Sequence, residues 1–321
     1  MVINVVIPAY NAEDTIERAI NSALELTVYV NTRVIVVDDG STDRTCSLVK
    51  KYKKRVVLLK NKGKGVSSAR NTGLRFLTSE DIQKSWVTFL DADDLLIKDA
   101  FIEFATGKYD TFEYVNFCFN QKGHFGSKTI SSEKASYYAV RSLKNYIYNF
   151  NSPWGRIINL DFIKKHNINF DENLSYKEDM LFNIQCFRHN PKIIVLQSVG
   201  YQHTNNSGSV INNFVPSALN DEQYIFNEVK KMFGAENKLE EIEKLVGTVK
   251  LTFVYVFPKN MGRKLLNDSK NRFWEVRNFL GKIKLIRAFK ELDGVDFAII
   301  TLYKLGLYNV MKLLFKMKGR I

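Results

Sequence analysis

Trp86-Val87-Thr88-Phe89-Leu90-Asp91-Ala92-Asp93-Asp94 joins a short apolar run to three carboxylates in four residues. The apolar half has the length and composition of a buried strand, and the acids mark its end. Carboxylates crowded at a strand end repel one another unless a cation stands between them. A hard divalent ion such as Mg2+ or Mn2+ takes oxygen ligands and arrives with phosphate, so the pattern points to a phosphorylated ligand. An Asp-rich strand end is also an ordinary turn or helix cap, and the cluster alone does not separate the two. A second acidic strand end lies upstream, Val34-Ile35-Val36-Val37 followed by Asp38-Asp39-Gly40-Ser41-Thr42-Asp43. Two parallel strands ending in acids suggest one shared crevice.

Outward from these strands the chain alternates. Residues 2–7, 33–37, 56–59 and 86–90 read as strands, and residues 13–26, 43–52 and 66–77 as helices between them. Continuous Val and Ile runs alternating with amphipathic segments predict a parallel sheet covered on both faces, with ligands at the carboxyl ends of its strands. Pro8-Ala9-Tyr10-Asn11 lies at that edge too, after the first strand. It holds no Gly-x-Gly-x-x-Gly, and Gly63-Lys64-Gly65 lacks the trailing Lys-Ser or Lys-Thr of a phosphate-binding loop, so both common nucleotide loops are excluded. Past residue 108 the pattern is mixed, with residues 109–119 strand-like, a turn at 121–126, and a helical region from about Pro216. The expected division is 1–215 and 216–321.

The 321 residues suffice for one large domain and an appendage. The formal charge of +13 is uneven: residues 259–321 hold 15 Lys and Arg against 5 Asp and Glu. A basic tail suits an anionic membrane surface, nucleic acid or plain solubility, and charge does not separate them. Cys46, Cys118 and Cys186 are odd in number, without metal-ligand spacing, and read as thiols in a reducing compartment. No signal peptide pattern opens the chain and no apolar run reaches spanning length, so a cytoplasmic protein is expected.

Six segments in this order resemble the family 2 glycosyltransferases of the GT-A fold. They are Val5-Val6-Ile7-Pro8-Ala9-Tyr10-Asn11, Val37-Asp38-Asp39-Gly40-Ser41-Thr42-Asp43, Ala69-Arg70-Asn71-Thr72-Gly73, Phe89-Leu90-Asp91-Ala92-Asp93-Asp94, Ser152-Pro153-Trp154-Gly155 and Lys177-Glu178-Asp179. The resemblance covers residues 2–210. It implies an α/β fold: a nucleotide-sugar-binding, Rossmann-like mixed sheet flanked by helices, followed by a helical, basic C-terminal region. It also implies an inverting, metal-dependent transfer of a sugar from a UDP-sugar to a hydroxyl of a cell-surface glycan, with bacterial capsule and polysaccharide biosynthesis as the setting.

The resemblance assigns roles that the residue chemistry can be set against. Asp39 would hold the uracil, with Pro8 and Tyr10 lining base and ribose and Asp38 and Asn61 nearby; the plain alternative is that Asp38 and Asp39 only shape a turn, with Asp43 helping to start a helix. Asp93 would bind Mn2+ or Mg2+ directly, Asp91 would serve as metal or ribose partner, and Asp94 would support them. Arg70 either reaches the donor, braces Asp91, or forms a structural ion pair. Ser175-Tyr176-Lys177-Glu178 fits a capping box in which Glu178 bonds back to the Ser175 amide, while the resemblance puts Glu178 beside the acceptor. Asp179 would be the general base, against the alternative of an acid favoured in a first helical turn. Trp154 is a sugar-pocket ring or a core aromatic, and His203 is a third metal ligand or a residue closing over the diphosphate.

Residues 297–318 are helix-compatible and amphipathic, with a wide apolar arc and lysine edges. Such a helix lies in a membrane interface or packs on protein, so the expected partners are the donor, a glycan or lipid-linked glycan acceptor, an anionic membrane surface, or an oligomer mate, with no nucleic acid. Peripheral attachment to the inner face of the plasma membrane is the corresponding location. Two rival functions remain at this point. A sugar-1-phosphate nucleotidyltransferase would show a Gly-rich basic loop after the first strand, unlike Pro8 to Ala12. A non-catalytic nucleotide-sugar or glycan-binding module would not need Asp39, Asp93 and Asp179 together.

Overall fold

The computed structural model describes residues 1–80, 82, 84–119, 128–141, 150–204, 214–233, 239–259, 261 and 263–318. The chain divides into two compact units, Met1–Leu174 with Glu178–Asn206, and Ser175–Lys177 with Ser207–Ile321.

In the first unit, β1 (Val2–Ala9), α1 (Ile16–Glu25), β2 (Asn31–Asp38), α2 (Thr45–Lys50), β3 (Val56–Lys60), α3 (Val66–Thr78) and β4 (Ser85–Phe89) follow the expected alternation. β1 pairs in parallel with β2 and β4, and β2 with β3. Ile3, Val5, Val6 and Ile7 are all fully buried because helices cover both faces. Ile16, Ala19, Ile20 and Ala23 recur at helical spacing and put one face of α1 into the cluster that holds Ile3, Val5 and Ile7. On the other face α3 comes so close that a Cβ on Gly73 would stand 2.5 Å from the Val6 side chain. Glycine is required there for lack of space.

After β4 come β5 (Leu95–Leu96), α4 (Ile102–Ala105), β6 (Tyr114–Phe119), β7 (Lys128–Ile130), α5 (Ser132–Arg141), β8 (Arg156–Asn159), α6 (Leu160–His166), α7 (Glu178–Arg188) and β9 (Ile193–Gln202). The sheet order is β3-β2-β1-β4-β8-β6-β9-β5, with β7 on β9. β8 runs antiparallel to β4 and β6, so the sheet is mixed rather than parallel throughout. The strand expected over residues 109–119 begins only at Tyr114. Tyr109 instead turns its ring into the core and donates its hydroxyl to Glu103, which holds the preceding segment in a turn. The turn expected at 121–126 lies outside the described residues.

The second unit is helical: α8 (Ala218–Phe233), α9 (Leu239–Leu251), α10 (Arg263–Leu280), α11 (Leu285–Glu291), α12 (Gly294–Leu305) and α13 (Tyr308–Met317), with a π-helical segment Thr252–Val256 after α9. Its core is aromatic: Phe273 stacks on Tyr303 at 4.6 Å, and Phe257 on Phe315 at 4.8 Å. Lys177, whose side chain is 4% exposed, lies 2.6 Å from both Glu222 and Glu243, which are fully buried. The single helix expected over 297–318 is broken. Gly306 takes the left-handed conformation (φ +69°), and the amides of Gly306 and Leu307 return to Tyr303 and Leu302, ending α12 before α13 begins. Among the described residues no helix is long and apolar enough to cross a membrane.

Candidate active site

The acids after β2 divide their work. Asp38 is buried, and its carboxylate accepts the Ser41 amide at 3.1 Å, so it shapes the turn. Asp43 accepts the Thr45 amide at 2.9 Å and starts α2, as the plainer reading of that acid expects. Asp39 reaches the loop after β3, where its carboxylate accepts from Asn61 Nδ2 at 2.6 Å and from the Gly65 amide at 2.9 Å. Asn61 is itself buried and accepts from Ser68 and Thr72 of α3, so it orients Asp39 rather than standing at the surface. Pro8 is buried in β1 opposite Val37, whereas Tyr10, one residue past the strand, is 62% exposed.

Arg70 is the hub of the site. It projects from α3 with its side chain 4% exposed; Nη2 lies 3.0 Å from Asp91 and Nη1 lies 2.6 Å from Asp179 and 3.7 Å from Glu178. Its guanidinium also lies 5.2 Å from the centre of the Phe170 ring. Of the alternatives open for Arg70 in the sequence, the contacts seen are the brace on Asp91 and an ion pair with a second carboxylate, Asp179. The crowding at the strand end is thus relieved at Asp91 by an arginine of the chain itself. Burial pushes the Asp91 carboxyl upward against the pull of Arg70. Asp179 is displaced further: burial holds it well above the usual carboxylate range, Arg70 opposes, and the neighbouring Glu178 adds to the rise.

Asp94 plays a different part from its neighbours. It is fully buried; Oδ2 accepts the Tyr201 hydroxyl at 2.6 Å and sits 3.1 Å from His203 Nδ1, while Oδ1 accepts the Thr204 amide at 2.8 Å. These bonds pin the end of β9 to the acidic turn. The Asp93 backbone carbonyl accepts from Arg18 and from the Thr204 hydroxyl, which fixes the turn on which its carboxylate stands. Trp154 is buried, with its ring stacked on Tyr201 at 4.5 Å and on His203 at 5.8 Å. It belongs to the core cluster and supports the site through those two rings. Among the described residues no three His, Cys, Asp or Glu side chains converge as a ready metal cage.

The capping box at Ser175 is not formed. The Ser175 amide donates to Asp221, Lys177 adopts a left-handed conformation (φ +59°), and Glu178 turns toward Arg70. The left-handed residue breaks the backbone path that a capping box needs, and the buried guanidinium is the stronger partner. Sequence reasoning also missed Asn183. Its amide donates to the carbonyls of Ser152 and Asp179, and its oxygen accepts from buried Arg156 and from Tyr114, so α7 and the segment before Trp154 are tied together. The spacing of four from Asp179 was the available signal.

Comparison with known proteins bears on this geometry. Residues 4–187 match the family model described as Glycosyl transferase family 2. The chain is 31% identical over 140 residues to the Escherichia coli UDP-Glc:alpha-D-GlcNAc-diphosphoundecaprenol beta-1,3-glucosyltransferase WfgD, covering 42% of this chain and 53% of that protein. It is 29% identical over 209 residues to the Staphylococcus aureus poly(ribitol-phosphate) beta-N-acetylglucosaminyltransferase TarS, covering 63% of this chain and 35% of TarS. The chain therefore spans less than two thirds of the length of the curated relatives it matches first. The crystal structure of S. aureus TarS 1-349 in complex with UDP-GlcNAc superposes with a TM-score of 0.66 at 18% identity, over 95% of this chain and 92% of that one. That likeness is one of fold, and it bears out the mixed α/β, GT-A-like arrangement with a helical C-terminal region. With more than half of its length matched by the family model, and with three of the six segments that suggested the resemblance meeting at Arg70, the chain belongs to glycosyl transferase family 2.

Proposed function

We propose that the chain is an inverting glycosyltransferase that moves a sugar from a UDP-sugar to a hydroxyl of a cell-surface glycan carried on a lipid. The observation that carries this reading is the double engagement of Arg70, which sets the acid of the donor motif and the proposed base on two nitrogens of one guanidinium. The donor class is supported by the UDP-sugar relatives, and the lipid-linked acceptor by the printed activity of WfgD. Such an acceptor places the reaction at a membrane surface.

In the proposed step the acceptor oxygen attacks the anomeric carbon from the face opposite UDP. The new C–O bond forms as the bond to the diphosphate breaks, its electron pair passing to the departing oxygen, and Asp179 takes the hydroxyl proton. A single displacement inverts the anomeric centre. Asp39, ordered by Asn61 and Gly65, is the group proposed for the uracil N3–H, with Tyr10 at the open edge and Pro8 and Asp38 shaping that edge from below. Asp91 is assigned to the ribose side of the donor. Glu178, next to Asp179 in sequence, is assigned to the acceptor side, and Trp154 is assigned there only through the Tyr201 and His203 rings it supports.

Carboxylate and imidazole are donors that a hard divalent ion accepts, but among the described residues no three of them converge and Asp91 is already held by Arg70. Mn2+ or Mg2+ would therefore be held by Asp93 first, with Asp91 and His203, whose ring lies beside Asp94, as the further candidates. When bound, the ion supplies charge neutralisation for the leaving diphosphate. Asp179→Asn tests the whole reading: UDP affinity by titration calorimetry should be retained while transfer falls by roughly 10²–10⁴-fold. Wild-type turnover in that variant would remove the base. UDP titrated with Mn2+ and again after chelation tests the ion, and equal affinities would remove the role given to Asp93.

A further inference from the structure

We propose that the outward face of α13 is a docking surface for an anionic lipid bilayer, on which the protein rests without crossing it. The inference does not depend on the catalytic reading. It starts from a surplus of apolar side chains in α13. Tyr308, Met311 and Phe315 are buried and account for the packing of this helix in the core of the helical unit. Val310, Leu313, Leu314 and Met317 are not used in that way; they are exposed, Leu313 by 57% and Met317 by 76%.

At about 100° per residue these four side chains form one stripe, spanning an arc of about 100°, on the side away from the buried three. Asn309 and then Lys316 border the stripe on one side and Lys318 on the other, all three exposed, with Lys312 next beyond Lys316. An isolated globular unit gains nothing from four adjacent exposed apolar residues of this size. In a bilayer interface they would enter the acyl boundary while the lysines extend to the headgroups.

The charge selects the occupant. From residue 297 to 321 the chain holds five Lys and Arg and no Asp or Glu. A second copy docked on the same face by two-fold symmetry would bring two sets of lysines together without a counter-charge, which opposes a self-complementary contact. Anionic headgroups supply that counter-charge to each basic residue near the surface. With no helix among the described residues long enough to span, the stripe lies on the bilayer.

Flotation of the full chain with phosphatidylglycerol–phosphatidylcholine vesicles tests this, alongside vesicles of phosphatidylcholine alone. Binding should require the anionic lipid and weaken as NaCl is raised. Leu313→Asp/Met317→Asp and, separately, Lys312→Glu/Lys316→Glu should each lower the bound fraction by roughly tenfold or more. All four side chains lie outside the buried core, so circular dichroism and the thermal midpoint should stay at wild-type values, which separates lost docking from lost folding. Undiminished flotation of both variants overturns the proposal. So does equal binding to neutral vesicles, or a dimer in sedimentation velocity that the Leu313→Asp/Met317→Asp variant dissolves, since the face would then be an interface between copies.

Discussion

Arg70 touches three carboxylates from a nearly solvent-free position, and its geometry makes a definite demand on the side chain. A planar fork serves Asp91 and Asp179 on separate nitrogens, whereas a lysine ammonium would offer one point of charge. Arg70→Lys should therefore leave the protein folded and lower transfer by roughly 10²-fold, because misplacing a reacting group by about 1 Å costs that much; steady-state kinetics with an intact melting curve check it. Single residues were legible in the sequence where a motif named them. The structure sets Asp91 and Asp179 on Arg70 and Asp39 on Asn61 and the Gly65 amide. The contact from Arg70 to Asp179 spans 109 positions in sequence, and nothing local in either segment announces it. Of the two readings open for Glu178, the capping box fails for a related reason: it is a local pattern, and a guanidinium distant in sequence overrode it.

At the scale of elements, the first four strands and three helices could be read because buried parallel strands and amphipathic helices have strong periods. β8 escaped because four residues, Arg156–Asn159, are too few to carry a period. The tail was read as one helix because its apolar pattern runs through Gly306; the glycine ends α12 with a left-handed residue, and its amphipathic stripe resumes in α13. Helix contact with the sheet offers a sharper test. Gly73→Val places methyl groups where Val6 already stands, so α3 must move off β1, at a cost of about 1–3 kcal/mol. Urea denaturation should show that loss, and because Arg70 rides on the same helix, activity should fall with it.

Across the molecule, the buried carboxylates of the helical unit tie its stability to pH. In the helical unit, burial and the adjacent Glu243 push the Glu222 carboxyl up to about 8, against the pull of Lys177. The folded form thus holds that proton more tightly than the unfolded chain does. Its contribution to stability is complete below the ordinary carboxylate range and disappears as the pH rises through about 8. The thermal midpoint should fall between pH 7 and 9, and Glu222→Gln should flatten that dependence; an unchanged slope in the variant would assign the titration elsewhere. None of this was visible in the sequence, since Lys177, Glu222 and Glu243 meet only through tertiary packing. The guanidinium of Arg70 has one more consequence at this scale. With a permanent countercharge built into α3, Asp91 and Asp179 can come together during folding before any ligand arrives, so the site can complete its own architecture while empty.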